Sequence, residues 1–201
     1  MGYFILLILC FGIQPALGQA LSDHKMGKWA VLQGSIVEIK GKTTLADFRC
    51  NASLMIPKKS FSWTKEGSYK VTHVQIPIRI RTLDCGNRLF NGVMYDALQA
   101  NRFPNIEIDV REVEAITFGK NSSGGSRFYA QVSLNGHTKG YRIPITVQQK
   151  SSGKLRVKGQ QPLKMTAFGV IPPVSVGGLV RTTDDIIIGF DLLLNIESQS
   201  F

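Results

Sequence analysis

Across most of this chain apolar residues recur at every second position, and that period constrains its fold more than any other feature. Val74, Ile76, Ile78 and Ile80 alternate with Gln75, Pro77, Arg79 and Arg81. Successive side chains of a strand point to opposite faces, so such a run has one apolar face and one wet face. Phe128, Ala130, Val132 and Leu134 repeat the pattern, as do Tyr141, Ile143, Ile145 and Val147. Ile186, Ile188, Phe190, Leu192 and Leu194 give a last long strand. Segments 31–40, 47–55, 106–116 and 154–165 are strand-like with less regular alternation. About eight strands at regular spacing are the mark of a sandwich or a barrel. Pro77 and Pro144 fall inside two runs and are expected at unpaired edges or bulges, because proline has no N–H to give to a ladder. Polar segments at 121–125, Asn135-Gly136, 151–153 and Asp184-Asp185 supply the turns.

One segment departs from this period. Between Leu89 and Asn101, the apolar residues Phe90, Val93, Met94, Ala97 and Leu98 fall at helical spacing. Asn87 is placed to cap the start, and Pro104 lies beyond the end. A single amphipathic helix among antiparallel strands would cover a sheet face or plug a barrel end, with Phe90, Val93, Met94 and Leu98 as lid residues. A second short helical turn is expected around 174–179, after Pro172-Pro173.

The N-terminus points to export. Phe4–Ile13 is a compact apolar run, Pro15 breaks it, and Ala16-Leu17-Gly18 offers small residues at a cleavage site. The run is too short to span a bilayer, which takes about 20 apolar residues. Residues 1–18 therefore read as a signal peptide cleaved near Gly18, and 19–201 as a single domain, periplasmic or extracellular. That domain keeps two cysteines, Cys50 and Cys85. In an oxidising compartment an isolated pair reads as a disulfide, with two buried thiols as the alternative. A zinc site is disfavoured, because His24, His73 and His137 are far apart in the chain.

The 201 residues carry 24 Lys and Arg against 14 Asp and Glu, a net charge of +10. The basic residues are scattered, which suits a cationic solvated surface or an anionic partner, including peripheral contact with an anionic membrane. Nucleic acid is disfavoured: Trp63, Tyr69, Phe128 and Tyr129 have basic neighbours but are not arrayed on one strand face. No nucleophile elbow, P-loop, zinc-protease or haem-attachment motif occurs. No catalytic residue, metal site or cofactor is assigned. The adjacent acids Glu112/Glu114 and Asp184-Asp185 read as solvated carboxylates, and His137 as a structural histidine.

Several segments together resemble a known family. Met94-Tyr95-Asp96-Ala97-Leu98-Gln99-Ala100 followed by Pro104-Asn105-Ile106-Glu107-Ile108 is similar to the helix-then-strand segment of the YceI-like family of exported proteins. Val132 to Lys139 looks like that family's hairpin, and Phe168-Gly169-Val170 with Val180 to Leu192 resembles its closing segment. The likeness runs from about Lys28 to Leu194, and Cys50 and Cys85 match its cysteine-bearing branch. It implies an all-β, lipocalin-like antiparallel barrel of about eight strands, with one covering helix and a long apolar pore. Some members bind polyisoprenoid lipids in that pore. By this likeness Ile76, Ile78, Ile80, Val132, Leu134, Ile143, Ile145, Phe190 and Leu192 would line the tube. Two function classes follow. One is an exported, non-enzymatic protein holding an isoprenoid-like or fatty-acyl chain, with a dimer possible. The other is a structural or stress-related interaction module whose barrel is a filled core without ligand.

Overall fold

The alternating runs close on themselves. In the computed structural model, which describes residues 25–118, 123–175 and 177–198, the long strands are β1 (Lys25–Thr43), β2 (Asp47–Glu66), β3 (Ser68–Arg79), β4 (Asn105–Val113), β5 (Ser123–Leu134), β6 (His137–Ser151), β7 (Lys154–Lys164) and β8 (Val180–Ser198). Each pairs antiparallel with its neighbour in sequence, and β8 returns to pair with β1. The result is a closed, eight-stranded antiparallel barrel, with one α-helix among the described residues. The expected signal peptide lies outside the described residues.

Three bulges keep the apolar side chains inward where the simple alternation fails. In β3 the register slips between Lys70 and Val74, with His73 at φ 65°. The extra residues let Val71 on one side of the slip and Val74, Ile76 and Ile78 on the other face the same interior. In β4 two residues, Arg111 and Glu112, oppose Tyr129 alone. In β1 the slip falls between Val31 and Ile36. There the buried Ser35 hydroxyl donates to the Leu32 carbonyl at 2.8 Å and accepts from the Leu193 N–H at 2.9 Å, replacing a lost ladder bond.

The barrel is not paired along its full height. β3 pairs with β2 only through Ser68–Thr72, so the stretch that holds Pro77 has an open edge toward β2. β6 pairs with β7 only from Ile145 onward, which leaves Pro144 at the start of the second open seam. Both prolines therefore sit where no ladder N–H is needed. The seams lie at the same end of the barrel, and the connecting segments fill them. After β3 the chain makes a 3₁₀ turn at Ile80–Thr82 and then the helix α1 (Arg88–Ala97). Between β7 and β8 a second 3₁₀ turn, Met165–Phe168, brings Phe168 to 6.3 Å from the Tyr141 ring.

Helix α1 starts where the sequence indicates and ends earlier than expected. The Asn87 side chain accepts from the backbone N–H groups of Leu89 and Phe90, an N-cap. At the other end Gln99 turns left-handed at φ 49°, the Ala100 N–H reaches the Tyr95 carbonyl and the Gln99 N–H reaches Asp96. This pair of bonds is a Schellman closure, and it stops the helix before Asn101. The short helical turn expected around 174–179 is not there. Val174–Ser175 pairs with Val180–Arg181 as a small hairpin, with Gly177 and Gly178 at φ 62° and 94°.

Cys50 of β2 and Cys85, between the first 3₁₀ turn and the helix, form a disulfide with Cα atoms 3.9 Å apart. Beside it, Asn51 and Asp84 exchange two backbone hydrogen bonds, both 2.8 Å. This lone bridge and the covalent bond tie the helix connection across the edge of β2 that β3 has left.

Candidate functional site

The two ends of the barrel interior differ. At the seam end, Ile80, Leu83, Met94, Leu98, Leu134 and Phe168 are all buried and packed into one cluster. Toward the opposite end the interior holds a cavity of about 220 Å³. Its wall runs from Leu54, Ile78 and Leu163 at depth to Val113, Ile116 and Leu155 near the β2–β3, β4–β5 and β6–β7 connections. These last three are only partly buried, which marks that end as the mouth. Above them at the rim, the Trp63 and Tyr69 rings meet edge-on at 5.5 Å, with the amines of Lys25 and Lys65 5.3 and 5.7 Å from their respective ring centres.

Of the residues expected to line a tube, Ile76, Ile78, Val132, Ile143, Ile145, Phe190 and Leu192 do face this cavity. Two do not. Ile80 has left the strand: its N–H bonds the Pro104 carbonyl at 2.9 Å, and it is wholly buried in the filled end. Leu134 is the last residue of β5, next to the Asn135-Gly136 turn, and packs into the same end. The expected lid residues also belong there. Met94 and Leu98 are buried, Phe90 and Val93 are half-buried, and Phe90 stacks edge-on against Phe48 at 5.2 Å. None of the four lines the cavity; the helix plugs the filled end of the barrel.

The wall includes residues that the periodicity did not single out, among them Trp29, Val37, Leu54, Phe61, Val110 and Val157. Most lie on strands whose alternation is interrupted by the bulges or by small and polar inward positions. In β7 the inward series is Leu155, Val157, Gly159, Gln161 and Leu163, which hardly reads as an apolar face. Gly159 has a packing reason: a Cβ there would come within 2.5 Å of the Phe190 ring. The space given up by the glycine admits that ring, which also lies 6.0 Å from Phe128. These aromatic rings narrow the interior. The volume of about 220 Å³ is below the roughly 300–1,000 Å³ of drug-sized pockets, so the bore is small.

Among the described residues no charged side chain faces the bore, and Gln161 is the one wall residue with a polar amide. Several ionisable groups are paired on the outer face. Arg156 grips both oxygens of Asp191 at 2.7 and 2.6 Å, Lys158 adds a contact at 3.0 Å, and together they hold the Asp191 carboxyl at a pKa of about 2. The adjacent acids are also tied up separately. Ser68 and Lys70 lower Glu112, while the Thr166 backbone and hydroxyl lower Asp184. A general acid needs the opposite shift. His137 shares a 3.0 Å hydrogen bond with the Asn135 carbonyl and packs against Gly169. Among the described residues no three potential metal ligands come together.

Comparison with known proteins settles the family. The profile of the YceI-like domain matches residues 20–194. The chain belongs to the YceI-like family. No curated protein matches it. Among solved structures, a polyisoprenoid-binding domain from Saccharophagus degradans, implicated in plant cell wall breakdown, superposes with a TM-score of 0.60 at 13% identity, covering 85% of this chain and 98% of that one. BcnA of Burkholderia cenocepacia superposes with a TM-score of 0.57 at 18% identity, over 79% and 95% of the two chains. At these identities the likeness establishes the shared YceI barrel, and the ligand has to be argued from the bore of this chain.

Proposed function

We propose that this YceI-like protein is a non-enzymatic lipid carrier that holds one slender apolar chain, isoprenoid-like or fatty-acyl, in its barrel. The observation that carries this is the uninterrupted apolar bore, plugged at the helix end and leading to a partly exposed mouth. Each buried methylene stabilises such a complex by about 0.8 kcal/mol, so a chain of modest length is retained without a charged contact. A bore of about 220 Å³ is too small for a bulky, rigid ligand, and its apolar wall selects by size. Export to the periplasm or beyond, from the apolar N-terminal run, would place the protein where lipids must cross water between membranes. The cationic surface and the aromatic–lysine rim support a peripheral contact of the mouth with an anionic bilayer.

The test is mass spectrometry of the organic extract from purified protein, beside variants that fill the bore. Ile78 and Val132 are both on the wall and both buried. Ile78→Trp or Val132→Trp should leave a folded barrel, by circular dichroism, that returns no lipid. A wild-type extract free of long-chain lipid would transfer the reading to the ligand-free structural module.

A further inference from the structure

Resting on the carrier reading, we infer that the bore is a ruler: it takes roughly the last eight or nine carbons of a lipid tail and stops them on a floor that includes Ile106 and Leu134. The cavity wall ends at the same step on all eight strands. On β1 the last lining residue is Val37 and the next inward one is Ile39; on β3 the pair is Ile78 and Ile80, and on β5 Val132 and Leu134. The other five strands stop in the same way, each with its next inward side chain packed into the filled end. The floor is therefore a layer built by the whole barrel, with one side chain from each strand or from the turn that continues it. Ile80 and Met165 belong to it as the first residues of the two 3₁₀ turns.

The filled end braces this layer from below. Phe168 is buried near the Tyr141 ring, and Met94 and Leu98 bring the helix segment into the same cluster. The Cys50–Cys85 bond ties the helix connection to β2. A close-packed layer admits no further methylene without strain, so a longer tail gains nothing by going deeper. An apolar cavity of about 150 Å³ takes one benzene ring. On that scale about 220 Å³ takes roughly eight or nine carbons. The rest of the lipid, its head group included, then lies beyond Val113, Ile116 and Leu155 at the mouth. The ligand class so defined is an amphiphile with a free linear tail end, distinguished by tail length up to the floor and not beyond it.

Primary alcohols from hexanol to tetradecanol, titrated calorimetrically into delipidated protein, test this. Affinity should rise roughly fourfold with each added methylene while the tail descends, the worth of one buried CH₂. It should level off at about nine carbons in wild type. Leu134→Ala lowers the floor, and the break should move to longer tails by up to about three carbons, those that the truncation removes. Val37→Phe fills the space just above the floor and should move the break to shorter tails. It adds atoms to an empty volume, so its result stands even where Leu134→Ala does not fold, which thermal melts decide. A wild-type affinity that climbs to tetradecanol without a break, or a break that stays put in any folded variant, overturns the ruler and leaves the carrier reading intact. If no alcohol binds wild type, both fail.

Discussion

Asp191 shows how much of the outer surface is settled by single side chains. On β8 it faces Arg156 and Lys158 of β7, across the strand pair that includes Asp191 and Lys158. A bidentate arginine favours the carboxylate, and the acid is depressed from 3.8 to about 2. With the native value below the unfolded one, the stabilisation is complete above pH about 4 and is lost as pH falls toward 2. Asp191→Asn should cost about 1 kcal/mol at neutral pH, as partly exposed pairs do. Thermal melts should show the gap between wild type and variant closing below pH 4. A gap of constant size would disprove the pairing. Met94 makes the complementary case inside. It is 2% exposed in the filled end, where no cation waits for it. Met94→Asp should therefore lower the melting temperature sharply or prevent folding, by more than 3 kcal/mol.

At the level of elements, the helix and its connection matter because the sheet leaves seams. The Cys50–Cys85 bond closes a separation of 35 residues. Loop-closure entropy gives such a bond about 3–4 kcal/mol, less any strain. It also holds the Asn51–Asp84 bridge against the free edge of β2. Replacing both cysteines by alanine should lower stability by that amount in chemical denaturation. It should also speed hydrogen exchange in α1 before the β5–β6 hairpin is affected. Equal protection in both elements would show that the bond steadies the whole barrel and not the plug. The local signals for this region were legible: the Asn87 cap, the helical spacing and the Asn135-Gly136 turn, with φ 51° and 77°, all occur where the residues point. What was not legible was the end of the helix at Gln99, because a left-handed closure by a residue other than glycine depends on surrounding contacts. The 174–179 segment failed for a related reason, since two glycines after Ser175 suit a tight hairpin as well as a helix end.

For the whole molecule, the net charge of +10 and the apolar bore make opposite demands, the one for water and the other for oil. The proposed contact with an anionic bilayer joins them at the mouth. Sedimentation with vesicles containing phosphatidylglycerol should carry the protein down at low salt and release it in about 0.5 M salt, where screening is short-ranged. Equal binding to neutral vesicles would reject that contact. Period-two alternation determined that the chain is built of strands and which side chains of the regular runs point inward, and the one stretch of helical spacing determined where the helix begins, because each of these follows from local backbone geometry. Only closure decided the rest. Ile80 and Ile78 share one period, yet one is sealed under the helix and the other lines the bore, since the chain leaves the sheet between them. Trp29, Gly159 and Phe190 acquired their roles from residues far away in sequence, once β8 had paired with both β1 and β7. Whether a barrel is hollow or full depends on the sum of side-chain volumes brought together from all strands, and that sum exists only after the strands have met.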